Sequence, residues 1–82
     1  MKYFFPAILK KDKQDENIIN VSFPDLLGVY TFGTSRKEAI SMAQDVLKET
    51  LLSAEECKNI IPTPIEKLRK LFEDVVLVEV KL

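Results

Sequence analysis

The sequence contains no histidine and no tryptophan, and only one cysteine and two glycines in 82 residues. Without histidine it cannot assemble a Ser–His or Cys–His nucleophile pair, nor a His-bearing metal site. The single cysteine, Cys57, excludes an internal disulfide and a cysteine-rich zinc site, and suits a reducing, cytoplasmic setting. Charge of one sign is not in excess, since 12 Lys+Arg face 13 Asp+Glu for a net charge of −1. General electrostatic attachment to nucleic acid is therefore disfavoured. A long hydrophobic run is also lacking. The opening apolar stretch, Tyr3 to Leu9, contains Pro6 and runs into Lys10, Lys11, Asp12 and Lys13. A spanning helix needs about 20 apolar residues, and a secretory signal needs a longer apolar core and a small-residue cleavage site. Asn20-Val21-Ser22 matches a glycosylation sequon, a pattern common by chance. What remains is a non-enzymatic single domain over residues 1–82 with no implied cofactor or metal, whose 46% hydrophobic residues must serve one core.

The apolar residues that are present fall into two periods. Tyr3 to Lys10 reads as a strand, with Tyr3, Phe5, Ala7 and Leu9 on one face and Phe4, Pro6, Ile8 and Lys10 on the other. Pro6 lacks an N–H and so marks an edge, a strand start or a bulge. Lys11 to Asn17 is a charged turn. Asn17 to Phe23 alternates Ile19, Val21 and Phe23 against Ile18, Asn20 and Ser22, the pattern of a half-buried antiparallel strand. Pro24-Asp25-Leu26-Leu27-Gly28 forms the next turn, and Val29 to Gly33 a third strand. Ser35 and Glu38 form a capping box that opens a helix running to about Ala54. Ala39, Ala43, Val46, Leu47 and Thr50 make its apolar stripe, with Ile40 and Leu51 on the flanks. Pro62-Thr63-Pro64 ends that pattern; Ile65 to Phe72 is a short second helix, and Val75 to Leu82 a last strand. The fold class is α+β, with element order βββα(α)β.

Phe23-Pro24-Asp25-Leu26-Leu27-Gly28, then Thr31, Gly33 and Thr34, then Arg36-Lys37-Glu38-Ala39 with Ala43 one turn on, resemble the signature of the HicB family of antitoxins. Tyr3-Phe4-Phe5-Pro6-Ala7-Ile8 upstream, and Ile61-Pro62-Thr63-Pro64 and Val76-Leu77-Val78-Glu79-Val80 downstream, sit where that family places its corresponding segments. The sequence departs from the pattern at Leu27, usually Pro, at Val29, often Cys, and at Asp15-Glu16-Asn17, where an Asp-Gly turn is common. The resemblance implies a partial RNase-H-like fold: three antiparallel strands, a last strand parallel to the first, sheet order 3-2-1-4, and one main helix across one face. Many members continue into an operator-binding domain; this sequence ends at Leu82, so operator binding is not carried over.

The resemblance also implies a function. Such a chain binds and neutralises a small basic HicA-type toxin, an RNA-cleaving protein with its own catalytic histidine, by covering the toxin's RNA-facing surface. Asp12, Asp15, Glu16 and Asp25 are the candidate toxin-binding residues, competing with phosphate for the toxin's cations. The alternative is a stand-alone regulatory or scaffold module acting through homo-oligomerisation. Phe4, Ile8 and Ile18, on the face away from the helix, are candidates for that contact and predict a homodimer or higher oligomer. A third reading, single-stranded nucleic-acid binding on a platform of Tyr30 and Phe32 with Tyr3 and Phe5, lacks a basic groove. A nuclease of RNase-H type needs carboxylates converging from adjacent strands. The first strand has none and the second offers only Asn20 and Ser22.

Overall fold

Alternating apolar and polar residues form strands wherever one face can be buried, and four such stretches pair into one sheet. A computed structural model describes residues 1–82. Its elements are β1 Lys2–Lys11, β2 Ile19–Ser22, β3 Tyr30–Gly33, α1 Arg36–Ser53, a 3-10 turn Glu55–Asn59, α2 Ile65–Arg69 and β4 Val75–Lys81. The sheet order is β3-β2-β1-β4, with β1 central, as the resemblance implies.

One feature of the expected topology is corrected. β4 runs antiparallel to β1, from Val75 opposite Ile8 to Lys81 opposite Lys2, so the whole sheet is antiparallel. A single helical crossover from β3 would have delivered β4 parallel to β1. Instead the chain doubles back after α1, through the 3-10 turn and α2, before it enters the sheet. The ends of the two elements record this. Arg36 at the start of α1 forms a two-pronged ion pair with Asp74, just before β4, with both nitrogen–oxygen distances 3.0 Å. α1 and β4 therefore start at the same end of the sheet.

Pro6 is accommodated without a bulge. Leu9 N donates to Asp74 O and Leu82 N to Met1 O, so the odd residues of β1 bond β4 and the even ones face the other way. On that side β2 pairs only with Ile8 to Lys11. The missing N–H of Pro6 costs no ladder bond.

The core lies between α1 and one sheet face. Phe5, Ala7 and Leu9 from β1, Val21 from β2, Phe23 and Leu26 beyond it, and Val78 and Val80 from β4 meet Ala39, Ala43, Leu47 and Leu51 of α1. The helix buries a strict four-residue row, so Leu51 lies in the contact and not on its flank, while Val46 and Thr50 are half-buried beside it. Half of the capping box forms as expected: Glu38 N donates to Ser35 Oγ at 3.1 Å. The Glu38 carboxylate instead accepts from Thr34, through its N at 2.9 Å and its hydroxyl at 3.1 Å.

α2 covers part of the second face. Val75, Pro6 and Ile8 share that face by strand parity, Val75 and Pro6 are buried, and Leu68, the one buried residue of α2, packs towards β4. At the sheet's far corner the chain ends meet, the Met1 ammonium donating to Leu82 O at 2.7 Å.

Candidate functional site

The turn joining β1 to β2 is built by its own acids. Asp12 accepts from the N–H groups of Gln14 at 3.0 Å and Asp15 at 3.1 Å, and from the Asn20 side-chain amide at 2.9 Å. These bonds, that of Asn20 first, favour the ionised form and hold the Asp12 carboxyl below its ordinary value. Asp15 accepts from Asn17 N at 2.9 Å, an Asx turn of the usual kind. Glu16 is exposed and bonds nothing within the chain, so of the three its carboxylate is the freest to meet a partner's cation. Lys10, Lys11 and Lys13 match these acids charge for charge at the same end of the sheet.

Asp25 lies beyond the opposite end of β2 and is not brought to this turn. Its carboxylate accepts from Thr63 N at 3.0 Å and Thr63 Oγ1 at 2.6 Å, half-buried. It therefore latches the β2–β3 turn to the segment between the 3-10 turn and α2. Around the latch, Leu27 and Ile61 are almost fully exposed. Gly28 supplies the turn's left-handed backbone at φ +78°, with open space where a Cβ would stand. Gly33 is needed for a different reason, since a Cβ there would lie 2.5 Å from Ala39 N and 2.7 Å from Ala39 Cα. The other signature residues, Phe23, Pro24, Leu26, Glu38 and Ala39, serve the core, the turn and the helix cap.

Phe4, Ile8 and Ile18 are not one continuous patch. Phe4 is exposed, Ile8 is half-buried and shares a groove with Phe72, and Ile18 is half-buried in the β1–β2 turn, where its carbonyl accepts from Asp12 N. The aromatic platform does not form either. Thr31 pairs with buried Val21, so Tyr30 and Phe32 project to the second face, while Tyr3 and Phe5 point to the α1 side and Phe5 is in the core. The expected sheet order 3-2-1-4 already put the Val29 to Gly33 strand at an edge, as observed. Sequence reasoning missed that Tyr30 and Phe32 lie on the face opposite Tyr3 and Phe5. No three acidic or cysteine side chains converge as a metal site. No helix is long and apolar enough to cross a membrane.

This architecture has solved counterparts. It superposes on the crystal structure of the N-terminal domain of the Burkholderia pseudomallei antitoxin HicB with a TM-score of 0.74 and 28% identity, covering 98% of this chain and 100% of that one. On the full-length antitoxin the TM-score is 0.69 at 24% identity, covering 98% of this chain and 63% of that one. The latter likeness is one of fold alone. The fold and sequence together define a HicB-like N-terminal domain. No protein-family model matches the sequence, and no curated protein does.

Proposed function

We propose that this chain is the antitoxin-type component of a toxin–antitoxin pair, acting in the cytoplasm by binding a HicA-type RNA-cleaving toxin and covering its RNA-facing surface. The observation that carries this reading is the end-to-end similarity to the HicB N-terminal domain. The acidic turn supports it in chemical terms: Glu16 and Asp15 present carboxylates to the cations a toxin would use for phosphate. Asp25 contributes through the shape of its latched turn, because both its oxygens are already occupied by Thr63.

The test is RNA cleavage by the purified cognate toxin, with and without an equimolar amount of this chain. Cleavage is expected to stop, and undiminished cleavage would overturn the reading. Glu16→Lys, which breaks no bond within the chain, is expected to weaken the complex by less than about tenfold, the scale of an exposed charge pair. That loss should shrink as salt is raised. A stand-alone module acting by self-association is the second reading, favoured by the open sheet edge at β3. A toxin reading frame beside the gene distinguishes the two.

A further inference from the structure

The sheet face away from α1 is only partly covered, and its open part mixes rings with polar groups. In register, Ile8, Ser22 and Tyr30 form one cross-strand row over β1, β2 and β3, and Lys10, Asn20 and Phe32 form the next. Phe72, just after α2, lines a groove of about 650 Å³ together with Ile8, Lys10, Asn20 and Ser22. That is the size of a site for a small ligand or a short stretch of a larger one. Tyr30 is 73% and Phe32 56% exposed beside the groove.

The cations of this groove have no partners. Lys10, Lys11 and Lys13 all line it, whereas the chain's ion pairs are Lys2–Glu79, Arg36–Asp74 and Lys58–Glu55. Asp12 is the one carboxylate in the lining, and it is turned to the Gln14 and Asp15 amides and to Asn20 Nδ2. Asp15 and Glu16 line no part of the groove. Glu73 belongs only to the neighbouring hollow, beside the Arg36–Asp74 pair. With its amide nitrogen held by Asp12, Asn20 keeps Oδ1 as an open acceptor, and the exposed Ser22 hydroxyl bonds nothing within the chain.

We propose that this face binds a short single-stranded RNA, with bases stacked on Tyr30 and Phe32 and phosphates held by Lys10, Lys11 and Lys13. Exposed rings next to a cationic groove are what an unpaired strand requires, and a duplex, its bases already stacked, cannot use the rings. Tyr30 and Phe32 stand two residues apart on one strand, about 6.6 Å, comparable to the step between nucleotides of an extended chain. Three unpaired lysines against one engaged carboxylate select a polyanion. An acidic peptide would satisfy the lysines and leave the rings without flat partners. Asn20 Oδ1 and Ser22 Oγ are acceptors for a 2′-hydroxyl, which selects RNA over DNA. The net charge of −1 excludes attachment over the whole surface but leaves this local contact intact.

Fluorescence anisotropy of a labelled eight-nucleotide oligo(U), titrated with the full chain alone, tests this. Binding with a Kd on the order of 10⁻⁴ M is expected, and three lysines predict a log–log salt slope of about −2. The double variant Tyr30→Leu/Phe32→Leu should weaken binding about tenfold or more. Lys10→Ala/Lys13→Ala should flatten the salt slope, and Lys48→Ala, exposed on α1, should change neither quantity. The chain has no tryptophan, so stacking on Tyr30 is also read without any variant, as quenched tyrosine emission on adding unlabelled oligo(U). Duplex RNA, oligo(dT) of the same length and poly-glutamate should each bind more weakly. Absence of oligo(U) binding at low salt would overturn the proposal. So would an aromatic double variant that binds unchanged, or oligo(dT), duplex or poly-glutamate binding as tight as that of oligo(U).

Discussion

The two glycines do opposite things, and single methyl groups separate them. At Gly28 an added Cβ meets nothing within 4 Å but must sit on a left-handed backbone. Gly28→Ala is expected to cost about 1–2 kcal/mol, the penalty of that conformation for an L-residue. At Gly33 the backbone is ordinary for any residue, and the obstacle is the α1 backbone at Ala39. Gly33→Ala must lift the helix from β3 and is expected to cost about 2 kcal/mol or more, the scale of overpacking in a tight core. Urea-unfolding midpoints of the two variants check the order. A Gly33→Ala variant no less stable than Gly28→Ala would contradict this account of the close approach. Gly28 was legible in the sequence because it follows Pro24-Asp25-Leu26-Leu27 in a turn. The role of Gly33 was not, since it depends on how closely a distant helix is packed. Asp25 teaches the same lesson: its turn was legible, but its partner is Thr63, 38 residues away.

Among the elements, the strands and helices announced themselves by period, and β4 shows what period cannot convey. Val76, Val78 and Val80 place one face on the core in either strand direction. Direction was decided by the return path between α1 and β4, whose Pro62-Thr63-Pro64 break gave no sign of its course. The Arg36–Asp74 pair now pins both starts together. Hydrogen bonds from Arg36, more than the charge itself, hold the Asp74 carboxyl below its ordinary value against a little burial. A carboxylate depressed in the folded state contributes stability that is complete above its unfolded value, near pH 4. That contribution is lost as pH falls through the lower folded value. Asp74→Asn is therefore expected to lower the thermal midpoint at pH 7 and to reduce the further fall on acidification to pH 3. Asp12, depressed by its own turn, keeps part of the acid dependence in the variant. An acid limb identical in both proteins would show that the pair does not couple the two elements.

At the scale of the molecule, one core on the α1 side carries the fold, and a thinner layer under α2 covers part of the opposite face. The element order and the membership of the main core were legible because both follow from side-chain period. The thin layer was not, because α2 could have lain on either face until the path of the chain was known. Met1 and Leu82 meet at one corner of the sheet, each bonding the other's backbone. The polypeptide is thus nearly a closed ring, and the point at which it is interrupted is arbitrary to the fold. A circular permutant of residues 1–82, with Met1 and Leu82 joined by a short Gly/Ser linker and new ends opened in the exposed Lys13–Glu16 turn, should fold to the same structure. Its circular dichroism and cooperative melting would verify this. Any passenger fused to Met1 or Leu82 leaves from the β1–β4 corner, across the sheet from β3, and would leave that strand unobstructed.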